Sequence, residues 1–137
     1  MKTVGIQIDG NKMIIGVIEK YDDGNTELSE LSRKLELLNH LDNAEVRNFK
    51  DELYSALDII GATRIAYVVR NPKGQKSASP LSFKLEGILQ LYPGLEVESY
   101  WPATTNAFYK KNSYKDLKKF NYQDKALKLA TYLIEND

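Results

Sequence analysis

The chain has 137 residues, of which 42% are apolar and 28% are charged, and its 19 Lys and Arg residues balance 19 Asp and Glu residues. This length and composition predict a single globular domain over residues 1–137 with its own hydrophobic core. The absence of cysteine excludes disulfides, thiolate metal ligands and thiol catalysis, and the single histidine, His40, excludes a multi-histidine metal site within one chain.

The charges are unevenly distributed along the sequence. Residues 1–69 carry eight Lys or Arg against twelve Asp or Glu, whereas residues 70–128 carry eleven against five. Zero net charge argues against a protein that coats nucleic acid, but this imbalance fits either chance sorting or one basic face that contacts phosphate. No apolar run reaches the roughly 18–20 residues of a membrane span, and no secretory signal is recognisable. We therefore expect a soluble cytoplasmic protein without a membrane partner.

The first part of the chain predicts strands. Residues 3–8 and 12–20 are apolar runs joined by an Asp-Gly-Asn turn sequence, which is typical of an antiparallel hairpin. After a second turn signal at residues 21–25, residues 31–38 alternate in polarity and predict a third antiparallel strand. The leucines that begin this segment are also spaced as on a helix, which leaves the start of the strand open.

A long helix is the next predicted element. Asp42 and Glu45 have the spacing of a capping box, and apolar residues then recur at intervals of three and four up to Ile60. Gly61 is a typical helix terminator. Residues 63–70 form a mostly apolar, β-branched run, which predicts a strand covered on both faces.

The second half of the sequence predicts alternating helices and strands. Residues 71–80 are rich in Pro, Gly and Ser and predict the most mobile loop of the chain. In the helix that follows, Gly87 predicts a close approach to a neighbouring strand. Residues 95–101 predict a strand, residues 103–110 a short helix, and a last helix is expected to start near Tyr122.

The element order β-β-β-α-β-α-β-α predicts an α/β fold. A three-strand antiparallel meander is followed by strands that return parallel to the first strand through right-handed crossovers. We therefore expect a mixed five-stranded sheet with helices on both faces.

This order resembles the RNase H-like fold, and local sequences resemble its RuvC-type, Holliday-junction-resolvase branch. The likeness covers nearly the whole chain and extends to an uncharacterised family within this fold, which shares the SFKLE and LKKF patterns. The stretches that carry the resemblance are VGIQIDGNKMIIGVIE, NPKGQKSASPLSFKLEGILQLY, WPATTNAFYKKN and QDKALKLATYL.

The resemblance implies a two-metal nuclease site, in which three carboxylates hold two divalent cations about 4 Å apart on a phosphodiester. Matched position by position, the three acids correspond to Gln7, Arg70 and Asp124. An amide brings no charge, and Arg70 places a cation where the family has an anion, which raises the electrostatic cost of binding a metal. The resemblance thus implies a degenerate site that uses no cofactor, or Mg²⁺ or Mn²⁺ if it is an active nuclease.

A different carboxylate set remains open. Asp9 lies on the same strand face as Gln7 and, with Asp124, is a candidate to hold one metal ion. Alternatively, Asp9 is the turn residue before Gly10, and Asp124 only supplies negative charge to the first turn of the last helix.

Seven lysines are candidate nucleic-acid-binding residues. Five of them are interleaved with Phe108, Tyr109, Tyr114 and Phe120, a pattern that suits a single strand held through phosphate contacts and stacking. The alternative is a solvated loop whose aromatic rings fold back onto the core. The seven are Lys73, Lys76, Lys110, Lys111, Lys115, Lys118 and Lys119.

Two functions follow from the sequence. The first is a nucleic-acid-associated domain that binds DNA or RNA through an incomplete nuclease site. The alternative is a non-catalytic protein-interaction or oligomerisation scaffold, such as a homodimer, with an exposed apolar patch on a sheet edge or around Tyr100 and Trp101.

Overall fold

A computed structural model of the chain describes residues 1–28, 30–70 and 79–137. The predicted loop at 71–80 therefore lies almost wholly outside the described residues. Within the described ranges the chain forms six strands and four α-helices, with a 3-10 turn at Asn121–Gln123. The strands are β1 (Lys2–Asp9), β2 (Lys12–Tyr21), β3 (Gly24–Glu27), β4 (Arg33–Glu36), β5 (Arg64–Val68) and β6 (Val97–Tyr100). The helices are α1 (Asn43–Ile60), α2 (Pro80–Gln90), α3 (Pro102–Lys111) and α4 (Asp124–Glu135).

The sheet is built around β1, which pairs antiparallel with β2 and parallel with β5. Its order is β3-β2-β1-β5-β6, and β4 also pairs with β2. β3 pairs with residues 18–21 of β2 and β4 with residues 12–15, so the two short strands share one edge of β2. The six described strands thus occupy five positions in a mixed sheet.

The third strand predicted over residues 31–38 is present but shorter, as β4, and sequence reasoning missed β3, which begins within the turn predicted at residues 21–25. The chain turns between β3 and β4: the backbone N–H groups of Leu31 and Ser32 donate to the carbonyl oxygen of Leu28 at 3.0 and 2.9 Å. The hydroxyl of Ser32 accepts a hydrogen bond from the Val17 N–H at 3.1 Å. A side chain therefore satisfies a β2 donor where continuous strand pairing would have done so.

Helices cover both faces of the sheet, as the sequence predicts. Alternate β1 residues, such as Val4 and Ile6, are buried in the larger core with α1 and α2. The other β1 face, with Thr3 and Gly5, packs against α4. α3 lies against α4 on the same side, since Phe108 of α3 makes a ring contact with Tyr132 of α4. None of the helices in the described part of the chain combines the length and hydropathy needed to cross a bilayer.

Glycines allow α4 to lie directly on the sheet. A Cβ atom on Gly5 would be 2.0 Å from the Ala126 carbonyl oxygen and 2.6 Å from the Ala130 nitrogen. Gly16, the partner of Gly5 in β2, is also closely covered by α4. The Thr3 hydroxyl donates to the Ala130 carbonyl oxygen at 2.7 Å. Because residue 126 lies over residue 5 and residue 130 bonds residue 3, α4 runs antiparallel to β1 and begins above its carboxyl end.

Local signals predicted α1 well and α2 in part. The Asp42 side chain accepts a hydrogen bond from the Ala44 N–H at 2.9 Å, and Gly61 ends α1 in the left-handed region with φ of 61°. The expectation that Gly87 marks a close approach is wrong, because nothing lies within 4 Å of a Cβ placed there. The helix packs through its leucines instead, with Leu85 and Leu89 fully buried.

Arg64 of β5 connects three elements. Its Nε and Nη2 atoms donate to the Glu98 carboxylate of β6 at 2.9 and 2.6 Å, and Nη1 donates to the Leu133 carbonyl of α4 at 3.0 Å. The Tyr100 hydroxyl also donates to Glu98, at 2.9 Å. The hydrogen bond from Arg64 lowers the pKa of Glu98 below its ordinary value.

The close packing of α4 predicts opposite effects of alanine at two glycines. Gly5→Ala should lower the free energy of unfolding by about 3 kcal/mol, because the new methyl group meets helix backbone. Gly87→Ala is the matched control and should raise it by about 0.5–1 kcal/mol, because alanine favours the helix and the space is open. Urea unfolding followed by circular dichroism measures both, and equal stability of the two variants would contradict the packing.

The Arg64–Glu98 pair predicts a pH-dependent contribution to stability. Glu98→Gln should lower the free energy of unfolding at neutral pH by about 1.5–3 kcal/mol, the range for hydrogen bonds to charged groups. Because folding lowers the pKa of Glu98, this stability is present when the pH is above the ordinary pKa of a carboxyl group. It is lost as the pH falls through the lowered pKa of the folded state. The difference between wild type and variant should therefore shrink in acid.

The exposed neighbour Glu96 provides the control for this measurement. Glu96→Gln should leave the free energy of unfolding within about 0.5 kcal/mol of wild type at every pH. A Glu98→Gln difference that grows on acidification would contradict the assignment.

Candidate functional site

A cleft of about 770 Å³ lies at the carboxyl ends of β1 and β5. Ile6 of β1 pairs with Tyr67 of β5, so the residues that follow in each strand reach the same edge of the sheet. Gln7, Arg70 and Asp124 all line this cleft. The structure thus brings together the three positions at which the resemblance implies acids. Open α/β sheets commonly bind ligands at such an edge.

Most of the charged residues that line the cleft are positive. Its described lining residues include four cations, Arg70, Lys110, Lys125 and Lys128, and one carboxylate, Asp124. The cations come from three elements: the segment after β5, the end of α3, and the first two turns of α4. Clustered like charges with so little compensation favour an anionic ligand.

Asp124 is already paired with two ammonium groups. Its Oδ2 atom is 3.1 Å from Nζ of Lys128, one turn along α4, and its Oδ1 atom is 3.6 Å from Nζ of Lys118. Lys118 also hydrogen-bonds Asp116, which raises the pKa of the lysine. A metal ion at Asp124 would have to displace or repel these ammonium groups.

The residues of the cleft do not fit a pair of divalent cations. Such a pair needs several anionic oxygen ligands. Asp124 is the one carboxylate among the described lining residues. Across the described ranges, no group of three or more His, Asp or Glu side chains is placed to hold a metal ion.

Arg70 has an unused donor. Its Nε atom is buried and has no hydrogen-bond partner among the described residues. A buried donor without an acceptor costs about 1–3 kcal/mol, and more when the group is charged. Arg70 also lines the cleft, where a planar guanidinium can bind a phosphate through two parallel hydrogen bonds.

Asp9 lies at a second, smaller cavity of about 260 Å³. This cavity shares Gln7, Asp124 and Lys125 with the cleft. Asp9 is exposed at the end of β1 and precedes Gly10, whose φ of 60° makes the tight turn. It therefore occupies the turn position, and a single-metal role for Asp9 with Asp124 stays a prediction.

The lysines predicted to bind nucleic acid do not all lie at the cleft. Lys110 lines the cleft and Lys118 contacts Asp124, but Lys111, Lys115 and Lys119 line neither cavity. Two further candidates, Lys73 and Lys76, lie outside the described residues.

Most of the interleaved aromatic residues pack inward. The ring of Phe108 is 5.2 Å from that of Tyr132, and the rings of Tyr109 and Tyr114 are 5.3 Å apart. The Tyr109 hydroxyl donates to the Lys128 carbonyl oxygen at 2.7 Å, and burial raises the pKa of Tyr114 to about 12. Phe120 differs, because 57% of its surface is exposed.

Sequence reasoning missed Lys125 and Lys128 as site residues. Both follow Asp124 in α4, and Lys128 lies four residues after it, the spacing at which side chains meet on a helix. Asp124 and Lys128 could therefore have been paired from sequence. Their position over the sheet edge depends on the glycine contact, which sequence periodicity does not reveal.

The comparisons with known structures identify the fold. RuvC from Thermus thermophilus superposes with a TM-score of 0.72 and 14% identity, covering 95% of this chain and 91% of that one. RuvC of the same organism in complex with a Holliday junction substrate gives 0.70 and 14%, covering 95% and 90%. An exopolyphosphatase from Cytophaga hutchinsonii gives 0.51 and 11%, covering 78% of this chain and 36% of that one.

These identities are low, so the likeness shows the fold, which is RNase H-like and of the RuvC type. No curated protein sequence matches the chain. A family described as protein of unknown function (DUF3010) matches residues 1–133. The match spans nearly the whole sequence, and the chain belongs to the DUF3010 family.

Proposed function

We propose that the chain is a nucleic-acid-binding domain whose cleft holds backbone phosphates directly on protein cations. The observation that carries this proposal is the lining of the cleft, with four cations around one carboxylate. Arg70 supports it, because its half-buried side chain lines the cleft and has one donor, Nε, without a partner among the described residues.

In this proposal the side-chain cations replace the metal ions of a two-metal nuclease. Ammonium and guanidinium groups attract and orient phosphate, but they do not bind a water molecule and lower its pKa as a divalent ion does. The site would therefore bind nucleic acid without cutting it. The DNA partner of one similar structure, RuvC with a Holliday junction substrate, supports a nucleic-acid ligand for this chain.

The scaffold alternative has weaker support. Trp101 is 55% exposed, as an interaction patch requires. Its neighbour Tyr100 packs against the Tyr132 ring at 5.3 Å and donates to Glu98, so it does not extend the patch. A homodimer remains a prediction.

Direct phosphate contacts predict salt-sensitive binding of nucleic acid. If all four cations of the cleft contact phosphates, log K for single-stranded DNA should fall with log salt concentration at a slope of about −3. Arg70→Ala should weaken binding about tenfold and reduce the slope by about one. Fluorescence anisotropy of a labelled oligonucleotide at several salt concentrations measures both quantities.

Lys50 provides the control for this series, because it lies on α1 and pairs with Asp51. Lys50→Ala should leave the affinity and the slope unchanged. Equal losses in the two variants, or binding that does not depend on salt, would contradict the proposal.

The composition of the cleft also predicts its behaviour towards metals. The wild-type chain should show no saturable binding of Mn²⁺ by calorimetry. Gln7→Asp combined with Arg70→Asp places two further carboxylates beside Asp124 and should create a Mn²⁺ site. The control pair, Gln7→Asn with Arg70→Ala, changes the same positions without adding acids and should bind none. Cleavage of branched DNA by the wild type, abolished by Asp124→Asn, would overturn the non-cutting proposal.

A further inference from the structure

Phe120 and Tyr122 form an exposed aromatic stack at the start of the last helical segment. Their ring centroids are 5.5 Å apart and the ring planes differ by 2°. The two side chains are 57% and 39% exposed. The neighbouring aromatic pairs Phe108–Tyr132 and Tyr109–Tyr114 are T-shaped contacts between half-buried rings, whereas this pair is parallel and faces solvent.

The turn that carries the two rings is held in place by a buried side chain. The Oε1 atom of Gln123 accepts hydrogen bonds from the backbone N–H groups of Lys119 and Phe120 at 2.9 and 3.1 Å. Gln123 is only 6% exposed, and α4 begins at the next residue. The stack is therefore positioned before any ligand arrives, which reduces the entropy lost on binding.

The stack borders the cationic cleft. Tyr122 lines the smaller cavity, which shares Gln7, Asp124 and Lys125 with the cleft. On β4, Lys34 places its Nζ atom 4.5 Å from the centre of the Tyr122 ring. Exposed aromatic rings thus lie beside positive charge. A nucleotide can use both features, through its base and its phosphate, whereas inorganic polyphosphate can use only the positive charge.

We propose that Phe120 and Tyr122 form a stacking platform for an unpaired nucleobase of a single-stranded nucleic acid whose neighbouring phosphate lies in the cationic cleft. This inference rests on the proposed function and specifies its ligand. Every base has a π-face, so the platform would tolerate any sequence. A duplex keeps its base faces stacked internally, so the platform favours single strands over duplexes of equal charge.

Three ligands of matched phosphate number test the platform. They are a 15-residue thymidine oligonucleotide, an abasic oligonucleotide of the same length, and inorganic polyphosphate. The wild type should bind the thymidine oligonucleotide about tenfold more tightly than the abasic one. Phe120→Ala and Tyr122→Ala should each remove most of this difference and leave the affinity for the abasic strand and for polyphosphate unchanged.

Two further variants make the test specific for stacking. Phe120→Trp, with its larger π-surface, should keep or increase the preference for the thymidine strand. Tyr21→Ala removes another exposed aromatic side chain, which is 46% exposed and lies at the carboxyl end of β2. This variant should leave the affinities for all three ligands unchanged.

The outcomes separate the platform from the proposed function. If Phe120→Ala keeps the full preference for bases while Arg70→Ala still weakens all three ligands, the platform is overturned and the phosphate cleft stands. Equal wild-type affinity for the thymidine strand and the abasic strand also overturns the platform. If Arg70→Ala changes no affinity, or the wild type binds none of the three ligands at low salt, both the platform and the proposed function are overturned.

Discussion

The contact between α4 and the paired glycines of β1 and β2 determines where the site lies. A helix separated from a sheet by ordinary side chains could shift or tilt, but Gly5 lets the α4 backbone rest on the strand. The hydrogen bond from Thr3 to the Ala130 carbonyl oxygen fixes the register of that contact. Asp124 and the two lysines that follow it are consequently held over the carboxyl end of β1, where Arg70 also arrives.

Electrostatics then decides what this edge of the sheet can hold. The RuvC-type fold brings three positions together, and in this chain they carry an amide, a guanidinium and one carboxylate. The remaining carboxylate is balanced by Lys118 and Lys128. A chelator cannot remove side-chain charges. Ligand binding in such a cleft would therefore depend on ionic strength, whereas binding at a metal site depends on the concentration of the metal ion.

The sequence predicted elements whose signals are local. The first hairpin and α1 carry their turn and cap residues within a few positions, and both are confirmed. The resemblance to the RuvC-type branch implied that Gln7, Arg70 and Asp124 lie together, and all three line one cleft in the structure.

Features that depend on contacts between distant segments were not predicted. The hydroxyl of Ser32 bonds to β2 between the end of β3 and the start of β4, and no periodicity signals that bond. The sequence alone does not distinguish the packing of Gly5 from that of Gly87, yet of these two only Gly5 lies against a helix backbone. Phe120 and Tyr122 are two residues apart in a polar stretch, and only the Gln123-held turn makes them a stack.

The lining shared by the two cavities has a consequence for ligand length. Gln7, Asp124 and Lys125 line both cavities, so the aromatic side and the cationic side adjoin. A molecule long enough to occupy both sides is held at two points, and once one end is bound the other end is at high effective concentration. The smallest fragment that would use both sides is therefore one that carries a base and a nearby phosphate, and each further phosphate would reach another cation of the cleft.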